Sequence, residues 1–396
     1  MFNTMVSARL QSPNSTSGKR ILVICPFISP NVGGVESHID DLIDSLSSRA
    51  IPVTLIGYSP LTTRVKAPFR EIRGMTQIFR IPWPGRNLFH RLESYPLLEL
   101  LYLFPILYLA ALIAVLAHPT RYKAIHAHGM IAGAVTVGLP FVDTRVFTVH
   151  AIYTLNQRPF LRRALATILR QFDVIFALSE PSRKEILEAV GQWTIVKRYT
   201  HWTDLDLFNI RDRKKSREIL DLPDRSTVLF VGRLLPPKGV HVLLAAARNL
   251  GQKGITIVIV GDGPLENEIW TAAKNNPVLV FRPRVSRREL PYYYSAADVV
   301  VIPSMYEEGF GRVAIESLAC GTPVVASRVG GLPEVVSVDV GFLVEPNTTR
   351  FLTIMDDILI KRSVPLPTRE TCRESAEERF SQSNVEVFVR SYGLTK

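Results

Sequence analysis

Short apolar runs alternate along the chain with longer segments in which apolar residues recur at helical spacing. This alternation is typical of parallel sheets built from successive β-α-β units. The first half contains the predicted strands Ile21–Cys25, Val53–Gly57, Ala124–Ala127, Val146–Val149 and Val174–Leu178. The second half contains the predicted strands Val228–Val231, Thr256–Val260, Val278–Phe281, Val299–Ile302, Val324–Ala326 and Phe342–Val344. The pattern therefore predicts an α/β protein with two doubly wound, Rossmann-like halves.

A charged segment without apolar periodicity, residues 211–225, lies between the two halves. We therefore predict one domain over residues 20–208, a second over 209–375 and a closing segment over 376–396. Residues 1–19 lack acidic side chains and the apolar stretch of a secretory signal, and we predict that they form a disordered tail. Because ligands of doubly wound sheets bind at the carboxyl ends of the strands, we expect a site in the cleft between the halves.

Each half opens with a strand, a turn and a helix, and both turns contain residues suited to phosphate. In the first half, Gly33 and Gly34 precede the helix and allow backbone N–H groups to approach a ligand oxygen closely, although a plain strand-to-helix turn would have the same sequence. In the second half, Arg233 follows a strand and Lys238 begins a helix. Two cations beside the positive end of a helix suit a diphosphate, and ordinary solvated side chains are the alternative.

A dense motif follows the predicted strand Val299–Ile302. It reads Glu-Gly-Phe-Gly from Glu308, reaches a second glutamate at Glu316, and continues as Ala-Cys-Gly-Thr-Pro-Val-Val-Ala over residues 319–326. This E-x7-E pattern and its surroundings resemble the retaining family 4 glycosyltransferases of the GT-B fold. The resemblance covers about residues 20–345. It continues more loosely to the C-terminus, where it implies a helix that returns to the first domain.

The resemblance implies two Rossmann-like domains that face each other across a cleft, the first binding the acceptor and the second a nucleotide-diphosphate sugar. Glu308 would contact the donor sugar, and Glu316 would contact the nucleotide ribose. Arg233 and Lys238 would neutralise the diphosphate and stabilise the charge on the leaving group, so no metal ion and no other cofactor are expected. The predicted donor-binding residues are Gly33, Gly34, Arg233, Lys238, Glu308, Gly309, Phe310, Gly311 and Glu316.

Two histidines complete the predicted site on the side of the first domain. His150 follows the predicted strand Val146–Val149, and the resemblance places it near the transferred sugar as a catalytic residue together with Glu308. There it would hydrogen-bond the sugar or hold the transition-state geometry rather than act as a simple base. His126 and His128 alternate along one strand, but no third metal ligand accompanies them, so we expect no metal there. His128 is a possible acceptor-side residue of the cleft.

The most apolar segment, Leu97–Ala117, contains one charged residue, Glu99, and is long enough to cross a bilayer. A predicted strand of the same sheet follows at once, and a spanning helix would put strands of one sheet on opposite sides of the membrane. We therefore expect a helix that is buried or lies on a membrane surface. Residues 64–91 carry seven basic side chains, one acidic and four aromatic ones, which favours contact with anionic lipid over an ordinary solvated loop. The three prolines of this stretch predict that it lacks regular structure.

Composition and charge narrow the choice of partners. The three cysteines among 396 residues are too scattered for a disulfide framework, which indicates a cytoplasmic protein. Residues 1–212 contain 23 Lys and Arg against 15 Asp and Glu, so they account for +8 of the net charge of +11. No recognised nucleic-acid-binding module accompanies this charge in the sequence, and we expect no nucleic-acid partner. An anionic membrane surface, contacted through residues 64–117, is the partner that we predict.

The sequence therefore predicts a retaining, metal-independent hexosyltransferase that is peripheral on the inner face of a membrane. It would move a sugar from a nucleotide-diphosphate sugar to a hydroxyl group, with a lipid or a lipid-linked glycan as the acceptor. The alternative within this class is a soluble sugar or small-metabolite acceptor, with helix 97–117 forming only part of the core. A non-catalytic scaffold with the GT-B fold is a further alternative, against which the intact Glu308, Glu316 and His150 argue.

Overall fold

The computed structural model describes residues 20–394, apart from residues 32, 60, 62–64, 84–95, 118–121, 154, 156–158, 192–193 and 251–252. The chain forms two sheets that are each packed between helices. This arrangement confirms the predicted α/β fold with two doubly wound halves. The predicted tail, residues 1–19, lies outside the described residues, and the exact domain boundaries stay predictions.

The first half contains one sheet and the helices that cover it. Its strands are β1 (Arg20–Phe27), β2 (Val53–Tyr58), β3 (Arg70–Arg73), β4 (Thr76–Ile81), β5 (Tyr122–His128), β6 (Thr144–Thr148), β7 (Val174–Ala177) and β8 (Ile195–Arg198). Its helices are α1 (Gly34–Ser48), α2 (Pro96–Ala117), α3 (Met130–Val137), α4 (Pro159–Leu169) and α5 (Glu180–Val190). The strand order is β3-β4-β2-β1-β5-β6-β7-β8, with β3 antiparallel to β4 and the other neighbours parallel.

The second half repeats this plan with a smaller sheet. Its strands are β9 (Thr227–Val231), β10 (Thr256–Val260), β11 (Leu279–Arg282), β12 (Val299–Ile302), β13 (Val324–Ser327) and β14 (Gly341–Val344). Its helices are α6 (Arg213–Ile219), α7 (Val240–Leu250), α8 (Glu266–Lys274), α9 (Leu290–Ala296), α10 (Arg312–Ala319), α11 (Leu332–Val335), α12 (Thr348–Asp356) and α13 (Arg369–Arg379). The strands are parallel in the order β11-β10-β9-β12-β13-β14.

The core follows from the alternation of side chains along each strand. In β1, Ile21 and Val23 pack in the hydrophobic cluster that contains α1, whereas Leu22 and Ile24 pack in the cluster that contains α2. The cluster on the α1 side continues into the second half, where it includes buried residues of α10 such as Ala314. The two halves therefore share a continuous apolar contact beside the site.

Two segments have regular structure that the sequence pattern did not indicate. Residues 64–91 contain the β3–β4 hairpin, because Gly74 makes the tight turn at φ 56° and buried positions alternate along most of β4. The predicted interdomain boundary, residues 211–225, contains helix α6. This helix belongs to the second half, since Arg213 and Arg217 both form ion pairs with Asp298.

The C-terminal segment returns to the first half, as the resemblance implies. After α13 the chain reaches helix α14 (Glu386–Ser391), whose Glu386 pairs with Arg49 beyond α1 at 2.7 Å. Tyr392 follows this helix, and its hydroxyl lies 2.7 Å from Nδ1 of His126 in β5. The helix that closes the chain therefore packs against the first sheet.

Helix α2 is the most apolar helix, and it is attached to the domain along one side. It is long and apolar enough to cross a membrane by length and composition alone. However, Leu103, Leu107, Ala111 and Val115 are fully buried in the cluster that covers β1 and β5. These four residues are spaced by one helical turn, so a single face of α2 packs on the sheet.

Candidate active site

The carboxyl ends of the two sheets meet at one interface, and predicted site residues from both halves lie close together there. A Cβ atom placed on Gly309 would be 3.0 Å from the backbone oxygen of His150. A Cβ atom placed on Gly34 would be 3.9 Å from Cδ of Arg312. The turn before α1 therefore faces the motif that begins α10. Gly311, at φ 89°, allows that motif to turn into the helix.

Glu308 and Lys238 form an ion pair in this interface. The Nζ atom of Lys238 lies 2.7 Å from Oε1 and 2.8 Å from Oε2 of Glu308, and the Ser304 hydroxyl donates to Oε2 at 2.8 Å. Burial acts to lower the pKa of Lys238, but Glu308 and Tyr306 together outweigh burial and raise that pKa overall. Lys238 therefore stays protonated, and a diphosphate would compete with Glu308 for its charge.

Glu316 is held by two donors within the same interface. Its Oε2 atom accepts a hydrogen bond from the Tyr294 hydroxyl at 2.9 Å, and its Oε1 atom lies 3.4 Å from the guanidinium of Arg312. Arg312 also contacts Asp41 of α1 at 2.6 Å. The carboxylate predicted to bind the ribose is thus positioned from its own half and connected through Arg312 to the other.

Glu36, in the first turn of α1, is a buried carboxyl group of the interface that the motifs did not indicate. A Cβ atom on Gly33 would be 2.5 Å from Oε2 of Glu36, so this carboxyl group packs directly against the turn. Burial raises the pKa of Glu36 to about 7, although Arg233 acts to lower it. The Gly33 turn, Glu36 and Arg233 therefore converge. Acidic residues are common in first helical turns, so Glu36 has no distinctive signal in the sequence.

Five histidines form one cluster beside this interface. They are His38, His126, His128, His150 and His201. The ring centroid of His38 lies 4.5 Å from that of His201 and 5.4 Å from that of His150. Burial lowers the pKa of all five, to about 3 for His150. The predicted catalytic histidine is therefore neutral at physiological pH.

Hydrogen bonds hold the histidine rings in place and connect strand β5 to strand β6 and the residues that follow it. The Nδ1 atom of His128 lies 2.9 Å from Nε2 of His150. His126, whose ring lies beside that of His128, is held by the hydroxyls of Tyr392 and Thr148, each 2.7 Å from one of its ring nitrogens. His150 is thus oriented by a neutral neighbour, and the C-terminal segment helps to fix the strand behind it.

Two predicted site residues are more buried than a ligand-contacting side chain needs to be. Phe310 packs its ring on His201 at a centroid distance of 5.4 Å and belongs to the core, so only its backbone can face a donor. His128 is also buried, and it acts on the interface through its hydrogen bond to His150. The structure therefore places both residues behind the surface of the site.

Carboxylates near the interface have structural partners. Within the described ranges, no three His, Cys, Asp or Glu side chains come together in an arrangement suited to a metal ion. Asp204, which the sequence places in an Asp-Leu-Asp segment, accepts hydrogen bonds from the backbone N–H groups of Asp206 and Leu207. This carboxylate therefore stabilises a turn between the halves.

Comparisons with known families match both halves of the chain. Residues 32–196 match the family "Glycosyltransferase Family 4", and residues 212–379 match "Glycosyl transferases group 1". A D-inositol 3-phosphate glycosyltransferase from Mycobacterium leprae (strain Br4923) is 43% identical over 147 residues, which are 34% of this chain and 32% of that protein. The same enzyme from Mycobacterium sp. (strain KMS) is 39% identical over 203 residues, 48% of this chain and 45% of that protein. The matches thus span less than half the length of these curated relatives.

Solved structures share the fold over nearly the whole chain. A sucrose-phosphate synthase from Thermosynechococcus elongatus has a TM-score of 0.76 at 24% identity and covers 95% of this chain and 100% of its own. The Anabaena protein HepE, in complex with UDP-glucose, has a TM-score of 0.73 at 20% identity with the same coverage. These likenesses show the fold, and the two family matches cover most of both halves. The chain belongs to the family 4 glycosyltransferases and has their GT-B fold.

Proposed function

We propose that this chain transfers a sugar from a nucleotide-diphosphate sugar to a hydroxyl group of a small soluble acceptor, with retention of anomeric configuration and without a metal ion. The observation that carries the proposal is the ion pair of Lys238 with Glu308, placed where Gly309 touches the backbone of His150. It puts a half-buried cation and a carboxylate from one half next to the segment whose backbone meets His150, a neutral histidine of the other half. Such an arrangement suits a sugar diphosphate held between the two halves.

The donor is the better supported of the two substrates. Arg233 and Lys238 would hold the diphosphate, and the turn at Gly33 and Gly34 would approach it from the first half. Glu316, already aligned by Tyr294, would accept hydrogen bonds from the ribose hydroxyls. Because HepE forms complexes with UDP and with UDP-glucose, UDP-glucose is the first donor to test.

The chemistry follows from which groups are charged. Lys238 is protonated and would stabilise the negative charge that develops on the leaving diphosphate, so the cation does the work that a metal ion does elsewhere. His150 is neutral and therefore suited to a hydrogen bond with the sugar rather than to holding a proton. We propose attack on the same face as the departing phosphate, which takes up the proton of the acceptor hydroxyl.

The acceptor proposal follows the curated relatives, whose names specify D-inositol 3-phosphate. They favour the alternative of a small soluble acceptor over the lipid or lipid-linked acceptor that the apolar and basic segments of the sequence predict. We propose a sugar or polyol, phosphorylated or free, as the acceptor class. A cytoplasmic location on the inner face of a membrane is a separate proposal, and it does not depend on the acceptor being a lipid.

The test combines a binding screen with a matched pair of variants. UDP-, GDP- and ADP-sugars are first compared by thermal shift, and the best donor is then offered with D-inositol 3-phosphate, free inositol and sugar phosphates. Glu308→Gln should still bind nucleotide but lose transfer by roughly a hundredfold or more. Glu307→Gln, the exposed neighbour, should transfer normally. Unchanged turnover in Glu308→Gln, or equal losses in both variants, would contradict the proposed site.

A further inference from the structure

Helix α2 exposes a continuous stripe of large apolar side chains on the side that faces away from the sheet. The exposed residues recur at helical spacing and are Leu98, Leu101, Ile106, Leu109, Ile113 and Leu116. The side chain of Leu101 is 71% exposed, and that of Ile113 is 59% exposed. At a rise of about 1.5 Å per residue the stripe is about 27 Å long. Scattered exposed leucines are ordinary, but a contiguous stripe of this length indicates a surface that binds something.

The buried side of the same helix shows that α2 does not span a bilayer in this fold. Leu103, Leu107, Ala111 and Val115 are packed in the core of the first half, and the Tyr58 hydroxyl donates a hydrogen bond to the backbone oxygen of Leu103 at 2.5 Å. A helix that spans a bilayer would have to leave this packing. The stripe can therefore meet lipid only if α2 lies in the plane of the membrane surface.

Basic residues flank the stripe in the sequence, which indicates a partner with negative charge. The sequence has no charged residue between Glu99 and Arg121, and basic residues precede and follow the helix. In the structure, Lys66 and Arg70 are exposed, and Arg70 lies over the ring of Phe79 at 5.9 Å. Phe79 packs against the cluster that contains α2, so Arg70 is on the α2 side of the sheet. An apolar stripe beside basic side chains complements an anionic lipid surface.

Not all of the basic residues of 64–91 contribute to this charge. Arg73 forms ion pairs with Asp40 and Asp44, and Arg80 pairs with Glu71. Residues 64, 86 and 91 lie outside the described residues. The apolar stripe is therefore the main feature of this surface, and Arg70 is the basic side chain placed on the same side of the sheet.

We propose that the exposed stripe of α2 docks the protein on an anionic membrane surface. A second copy of the chain is the competing occupant, but it would offer the same basic side chains, whereas anionic headgroups supply the opposite charge. Near the start of α2, Tyr102 accepts a hydrogen bond from Trp83, which follows β4. The start of α2 therefore lies near the carboxyl end of β4.

The experiment is sedimentation of the full chain with phosphatidylcholine vesicles, with and without phosphatidylglycerol, at low and at high salt. The variant Leu109→Glu/Ile113→Glu places two charges on the stripe, and because both side chains are more than half exposed it removes no core packing. The control is Val338→Glu, a side chain of the second half that is 89% exposed. We expect binding to the anionic vesicles, weakened by salt and weakened roughly tenfold or more by the double variant but not by the control.

Three results would overturn the proposal. One is the absence of binding to anionic vesicles at low salt. Another is equal binding to neutral and anionic vesicles. The third is a dimer of the wild-type chain, seen by light scattering, that the double variant converts to a monomer. Sugar transfer to a soluble acceptor is measured without vesicles, so failure of the docking surface and failure of the proposed function are distinguishable.

Discussion

The carboxylate of Asp41, on the first helix of the first half, is shared by two arginines of the second half. Its Oδ1 atom lies 2.5 Å from Arg287, and its Oδ2 atom lies 2.6 Å from Arg312. Asp41 is 4% exposed at its side chain, and Arg312 continues to Glu316 at 3.4 Å. Arg312 therefore connects the contact between the halves to Glu316, the carboxylate proposed to bind the ribose.

Replacing Asp41 should weaken the contact between the halves. Asp41→Asn keeps the shape of the side chain but leaves the two arginine side chains without their shared counter-charge. Breaking a buried ion pair in this way costs about 3 kcal/mol. We expect a matching loss in the free energy of unfolding, and a larger radius of gyration by small-angle scattering because the halves separate more readily.

The control for this variant lies on the same helix. Asp44 pairs with Arg73 within the first half, and its side chain is 50% exposed. Asp44→Asn should therefore cost less than about 1 kcal/mol and leave the radius of gyration unchanged. Equal effects of the two substitutions would show that Asp41 contributes nothing special to the contact.

Acidification should destabilise the protein through its histidine cluster. The folded-state pKa of each of the five histidines is lowered by burial, while the unfolded chain takes up protons at about 6.5. Below that pH the unfolded state binds more protons than the native state, so stability falls as the pH falls. The slope is about 1.4 kcal/mol per pH unit for each histidine. Glu36 acts in the opposite direction, because its raised pKa lets the native state bind one proton that the unfolded state binds only at lower pH.

The measurement is chemical denaturation at a series of pH values from neutral to about 5.5. His38→Phe keeps an aromatic ring among the rings of His201 and Trp202 and should reduce the slope by one histidine's share. His241→Asn, which replaces an exposed histidine, should leave the slope unchanged. Stability that does not depend on pH in this range would contradict the neutral cluster.

Patterns in the sequence predict the buried parts of the fold better than its edges. Every predicted strand is present, because uninterrupted runs of apolar and β-branched residues are typical of strands covered on both faces. Strand β4 escaped prediction, because the prolines of residues 64–91 favour irregular structure over a strand. Strands β3 and β8, at the two edges of the first sheet, escaped prediction too. Their residues are largely exposed and charged, since an edge strand has fewer neighbours to pack against.

The sequence likewise indicates only part of the candidate site. Glu308, Gly309, Gly311 and Glu316 lie within one short motif, so local spacing is enough to indicate them. Their partners across the interface are distant in sequence, and Asp41 and Arg312 are separated by 271 residues. A single sequence contains no local signal for such a pair, which becomes visible only when the two halves are packed together.

Glu36 should take up a proton when the donor binds. In the free protein its pKa is about 7, so most of the carboxyl groups are ionised at slightly alkaline pH. A diphosphate beside Gly33 and Arg233 would add negative charge and would also screen the arginine that lowers the pKa of Glu36. Both effects raise this pKa further. We therefore expect uptake of up to one proton on binding, and donor affinity that falls as the pH rises above about 7.

Calorimetry of nucleotide-sugar binding in buffers of different ionisation enthalpy measures this uptake directly. Glu36→Gln should abolish the uptake and make donor affinity insensitive to pH, because glutamine carries no titratable proton. Asp44→Asn, on the exposed side of the same helix, should leave the uptake as it is in the wild type. Proton release on binding, or uptake that persists in Glu36→Gln, would mean that the diphosphate does not bind beside the turn at Gly33. The site would then have to rest on the residues of the second half alone.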